Sequence, residues 1–142
     1  MPHLAFYKAT NDDLKGRLIN RLSGNYGYSH VELVFSDGMS FSSSPRDGGV
    51  RFKAIDFNPD RWVFFRLRYT PKQEAIIRTR ARSIEGAEYD WLGIFCHQLL
   101  PVGVQNDSKW WCSEAIQWAL YEFPFRISPN AMAKLYGAPG AS

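Results

Sequence analysis

The chain has 142 residues and a formal net charge of +3, and its hydrophobic residues, 45% of the total, include five Trp, seven Tyr and ten Phe. That length suits one domain, residues 1–142, and that apolar content is enough for a packed core, which argues against a disordered chain. The mild charge is weak ground for a polyanionic partner, and no apolar run approaches the roughly 18 residues a membrane span needs.

The opening stretch from Met1 to Lys8 has no basic start followed by an apolar core. No secretory signal is read, and synthesis in the cytoplasm is expected. In that reducing setting the two cysteines, Cys96 and Cys112, are expected as free thiols.

Residues 4–9 form a short apolar run that predicts a buried strand. Leu14, Leu18, Ile19 and Leu22 then recur at helical spacing, with Asn11 or Asp12 to cap the helix and Ser23-Gly24 to stop it. After the loop 25–29, the β-branched and aromatic run 30–35 predicts a strand, which Asp37-Gly38 turns back into a second at 39–42. Further strands are expected at 49–54 and 61–69, so the middle of the chain reads as antiparallel sheet.

Thr70-Pro71-Lys72-Gln73 combines a capping hydroxyl, a proline at the first helical position and Gln at the third, which predicts a helix to about Ile84, closed by Gly86. Lys72, Arg78, Arg80 and Arg82 mark its solvated face. Asp90 is placed to cap an apolar helix that Pro101 stops. Finally Cys112, Ala115, Ile116, Ala119, Leu120 and Phe123 form one apolar helical face, and a short last helix is expected from Ser128-Pro129-Asn130.

This pattern puts Cys112 in the first turn of its helix. Unpaired N–H groups there stabilise a thiolate and can receive the oxyanion of a tetrahedral intermediate. A free cysteine is more often a small buried hydrophobe, but Trp110-Trp111 before it and Ser113-Glu114 after it fit a cleft at a helix start. His30 opens a strand directly after a Gly/Tyr loop, so it is the candidate base. His3 lies near the terminus, and His97 beside Cys96 lacks metal-ligand spacing, so no metal or cofactor is expected.

A catalytic histidine needs a partner that fixes its tautomer. Glu32, two residues on, shares its strand face, and Ser42 and Ser44 on the returning strand are alternatives. Tyr28, Ser42, Ser44, Tyr89 and Trp111 are the candidate substrate contacts.

The ordered set Leu18-Ile19-Asn20-Arg21-Leu22, Tyr28-Ser29-His30-Val31-Glu32-Leu33, Tyr89-Asp90-Trp91, Trp111-Cys112-Ser113-Glu114 and Ser128-Pro129-Asn130 resembles the circularly permuted NlpC/P60 group of papain-like proteins. The resemblance implies an α+β, papain-like fold in which an antiparallel sheet carrying the base packs against a helix carrying the nucleophile. It implies His30 and Cys112 as the catalytic pair. The family commonly places its third polar residue on the strand after the histidine, where this chain has Ser42 or Ser44.

The expected function is a cysteine peptidase or amidase acting on cell-wall peptides, with a peptide or acyl substrate as partner. A lipid or thioester acyltransferase of the same fold is the alternative. A non-catalytic module holding an acidic ligand on Arg46, Arg51 and Lys53 is the alternative of another class. Nucleic acid is disfavoured because the basic residues form no aromatic-interleaved patch. By analogy, compact size without a leader suits a phage component associated with virion or tail proteins.

Overall fold

In a computed structural model, the described residues are 1–9, 14, 27–89, 109–121 and 127–139. The helices expected at 11–22 and 90–100, with Cys96, His97, Asp90 and Trp91, lie outside them, apart from Leu14. The rest is an α+β arrangement: β1 His3–Lys8, β2 Tyr28–Val34, β3 Met39–Ser44, β4 Gly49–Ala54, β5 Trp62–Arg66, α1 Pro71–Ser83, β6 Glu88–Tyr89, β7 Lys109–Trp110, α2 Cys112–Tyr121 and α3 Pro129–Leu135.

The strands form one sheet in the order β5-β1-β2-β3-β4-β6-β7, antiparallel throughout except for the last pair. Alternation along each strand assigns the two faces. Leu4, Phe6, Val31, Leu33 and Phe41 join Ala115, Ile116 and Ala119 of α2 in the core, so α2 packs on β2 and β3. His30, Glu32 and Arg51 alternate with core residues along their strands.

The pairing of β1 with β2 is irregular. Tyr7 faces His30, but Lys8 faces Tyr28, so Ser29 is one residue too many on β2. Such a bulge reverses the alternation at its position. Tyr28 therefore turns into the core, where it is fully buried against Phe6 at 5.4 Å between ring centroids, while His30 stays in line with Glu32.

The α1 N-terminus carries the expected capping box: Thr70 accepts from the Gln73 amide and the Gln73 side chain accepts from Thr70. Buried Glu74 ties this helix to the β2–β3 turn by accepting from Ser36 N at 2.7 Å and Ser36 Oγ at 2.8 Å. On the basic face Lys72 and Arg82 are exposed as expected, while Arg78 pairs with Asp37 at 2.9 Å, Arg82 with Glu85 at 2.6 Å, and Arg80 donates to Leu120 O at 3.2 Å.

Gly49 has φ of 145°, and a side chain there would strike Ala87 O at 2.0 Å, so only glycine lets β4 close onto β6. Among the described residues no helix is long and apolar enough to cross a membrane.

Candidate active site

Cys112 is the first residue of α2, and Trp111 is its cap by backbone geometry, its carbonyl accepting from Ala115 N at 3.0 Å. Tryptophan has no side-chain acceptor for the first turn, so the leading N–H groups of Cys112 and Ser113 lack an acceptor within the helix. The helix is held in place from both sides. Ser113 Oγ donates to Ile127 O, and the apolar face Ala115, Ile116, Ala119 packs on the sheet.

His30 approaches this helix start from the beginning of β2. The Cys112 sulfur lies close enough to the His30 ring, 82 positions away in sequence, to act on it by charge and hydrogen bond. Nε2 of the ring meets Glu32 Oε1 at 2.7 Å. Trp62 packs edge-on to the imidazole, with ring centroids 6.3 Å apart. A fifth of the His30 side chain is exposed, whereas Cys112 is nearly covered.

Burial disfavours charge on His30, but the Cys112 sulfur, by charge and hydrogen bond, and then the Glu32 carboxylate, outweigh it. The ring's pKa is raised to about 10. Glu32 is also buried, which alone would raise its pKa, yet hydrogen bonds from Arg51 and His30 hold it below the usual carboxylate range.

Arg51 reaches Glu32 from β4 through both terminal nitrogens: Nη1 donates to Oε2 at 2.7 Å and Nη2 to Oε1 at 2.6 Å. Its Nε donates to Asp47 Oδ2 at 2.8 Å, and Asp47 Oδ1 accepts from Lys53 at 2.8 Å. Arg51 and Lys53, read from the sequence as holders of an acidic ligand, are thus engaged with the chain's own carboxylates.

Of the two serines weighed as partners for the imidazole, Ser42 is fully buried and donates to Val31 O at 2.7 Å. Ser44 is buried where β3 ends, its carbonyl accepting from Asp47 N at 3.2 Å. The carboxylate in contact with the ring is that of Glu32, from the histidine's own strand.

The expected substrate contacts divide. Tyr28 is fully buried, because the Ser29 bulge turns it inward. Its hydroxyl donates to Pro139 O and its amide to Asn130 Oδ1 at 2.8 Å, so it anchors the start of β2. Ser42 is committed to the sheet. Tyr89 and Trp111 are buried together as a small cluster beside the main core, Trp111 directly before Cys112.

Asn130 is the residue whose part was hidden in sequence. The bulge takes the Tyr28 amide out of regular pairing, and the Asn130 carbonyl oxygen receives it two residues from His30. Ser128 caps α3 by accepting from Ala131 N at 3.1 Å and so presents Asn130 in its first turn. One segment, 127–139, therefore braces both the histidine strand and the cysteine helix.

Searches of the sequence against protein-family models and against curated proteins return no match.

Proposed function

We propose that this protein is a cysteine hydrolase of papain-like, permuted NlpC/P60 type, which cleaves amide bonds of cell-wall peptides through a Cys112–His30–Glu32 triad. The observation that carries the reading is His30 held between a helix-start sulfur and a buried carboxylate. That geometry supplies a nucleophile, a proton carrier and an orienting group in hydrogen-bond contact.

In the proposed reaction His30 holds the proton taken from Cys112, and the thiolate adds to the substrate carbonyl carbon. The Cys112 and Ser113 N–H groups receive the oxyanion. His30 then gives its proton to the leaving nitrogen, the C–N bond breaks, and a thioester remains on Sγ. Water, deprotonated by His30, adds to the thioester carbon, and rupture of the C–S bond returns the thiolate beside a protonated ring. Glu32 keeps the ring oriented and stabilises its cation throughout.

A second reading, acyl transfer from a lipid or thioester, draws on one observation. Trp62, beside His30, also packs on Tyr7 and Phe57, and Phe57 packs on the half-exposed Phe64, an aromatic surface suited to an acyl chain. The module reading is weakened by the internal pairing of Arg51 and Lys53.

The test is incubation of the purified protein with cell-wall peptides and, separately, with phospholipid vesicles, scoring new amino groups and transferred or freed acyl chains. Hydrolysis of the peptides, abolished in Cys112→Ala and in His30→Ala, is the expected result. Turnover that survives Cys112→Ala overturns the assignment.

A further inference from the structure

The fork of Arg51 on Glu32 spans two strand spacings, from β4 across β3 to β2. Both carboxylate oxygens are gripped, which stops the carboxylate from rotating and turns Oε1 toward His30 Nε2. Glu32 is 1% exposed, so water is poorly placed to replace the guanidinium. Arg51 is itself oriented by Asp47, which Lys53 holds in turn. The groups His30, Glu32, Arg51, Asp47 and Lys53 thus alternate in charge along one chain of contacts that begins beside Cys112.

Resting on the Cys–His reading above, we infer that Arg51 is a positioning residue, whose bidentate grip aims the Glu32 carboxylate at His30 and so sets the reactivity of Cys112. A lysine preserves the charge but presents a single point donor, so it cannot hold both oxygens in one plane. With that grip gone, Glu32 is a buried carboxylate with weaker support and takes up a proton more readily. A neutral Glu32 stabilises the imidazolium less, and alkylation of the sulfur beside it is displaced to higher pH.

A purely structural role for Arg51, stitching β2 to β4, makes a different forecast. It lowers the unfolding temperature and the folded fraction but leaves the pH profile of the folded protein in place.

The experiment measures alkylation of Cys112 by iodoacetamide across pH 4–9, by mapped peptide, in the wild type, His30→Ala, Arg51→Lys and Arg51→Gln, with thermal unfolding of each. Arg51→Lys keeps a cation beside Glu32 and is the variant expected to fold. Positioning predicts a fall of about tenfold in its rate at pH 6, with the acid limb moved to higher pH while the protein remains folded. A folded Arg51→Lys or Arg51→Gln protein with the wild-type profile overturns the inference and leaves the Cys–His reading standing. Wild-type alkylation that is indifferent to His30→Ala sinks that reading and the inference together.

Discussion

Glu32 accepts from His30 Nε2 at 2.7 Å across a separation of two residues on one strand, so the pleat of β2 brings the imidazole and this carboxylate together while Arg51 fixes the carboxylate's rotation from β4. A shift of β2 along its neighbours carries both groups together. Their proximity therefore survives a shift of β2, whereas the aim of the carboxylate depends on the reach of Arg51 from β4 and the meeting of His30 with Cys112 depends on how α2 is seated.

The first prediction concerns the proton on His30. Glu32 and the Cys112 sulfur both favour the charged ring, so removing either lowers its pKa from about 10. NMR titration of the His30 ring should show it protonated to about pH 10 in the wild type and deprotonating at lower pH in Glu32→Gln and in Cys112→Ala. The alkaline limb of activity should move down with it in Glu32→Gln. A ring that titrates at the same pH in the wild type and Glu32→Gln contradicts the assigned partnership.

Asn130 provides the second. Asn130→Leu leaves the Tyr28 amide buried without its acceptor, a cost of about 1–3 kcal/mol, and loosens the start of β2 next to His30. Asn130→Asp keeps an acceptor oxygen in place. Urea unfolding should rank wild type and Asn130→Asp above Asn130→Leu; equal midpoints for all three would remove Asn130 from the account.

Ser42 provides the third. It pairs with Arg51 on one side, and one register step from the Leu33–Phe41 pair it stands beside Glu32 on the other, so the Arg51 fork passes over a small side chain. Ser42→Val deletes the bond to Val31 O and adds branched bulk under the fork. A destabilisation of about 1–3 kcal/mol is expected, together with slower Cys112 alkylation. Ser42→Ala loses only the hydroxyl, and alkylation at the wild-type rate is expected of it. The idea fails if Ser42→Val alkylates as fast as the wild type does.

Much of this arrangement was legible in the chain because it rests on local chemistry. The Thr70–Gln73 capping box and the apolar face from Cys112 to Leu120 are periodic or contiguous, and they set α1 and α2 within a residue or two. Strand β4 matches its expected bounds, 49–54, while β5 stops at Arg66, three residues early, where Leu67 turns its amide to Pro2 O at 2.9 Å. The strands β6 and β7 are two residues each and joined in parallel, too short for any alternation to show.

The site was legible in its single-strand part and hidden in its cross-strand part. Glu32 follows His30 at a spacing that fixes a shared face. Tyr28 was misplaced because the bulge at Ser29 is a property of the β1–β2 pairing, which no run of residues on β2 encodes. Arg51 and Asn130 act from 19 and 102 positions away, on Glu32 and on the Tyr28 amide, and only the sheet order and the docking of α3 bring them in.

The most direct measurement is the rate at which iodoacetamide modifies Cys112 at pH 6, read by mass spectrometry on the peptide that contains it so that Cys96 is scored separately. If His30 makes that sulfur a nucleophile, the wild type reacts much faster than free cysteine at this pH and His30→Ala falls to the free-cysteine rate or below. A Cys112 that stays unmodified at pH 6 in the folded wild type, or reacts equally in both proteins, contradicts the account.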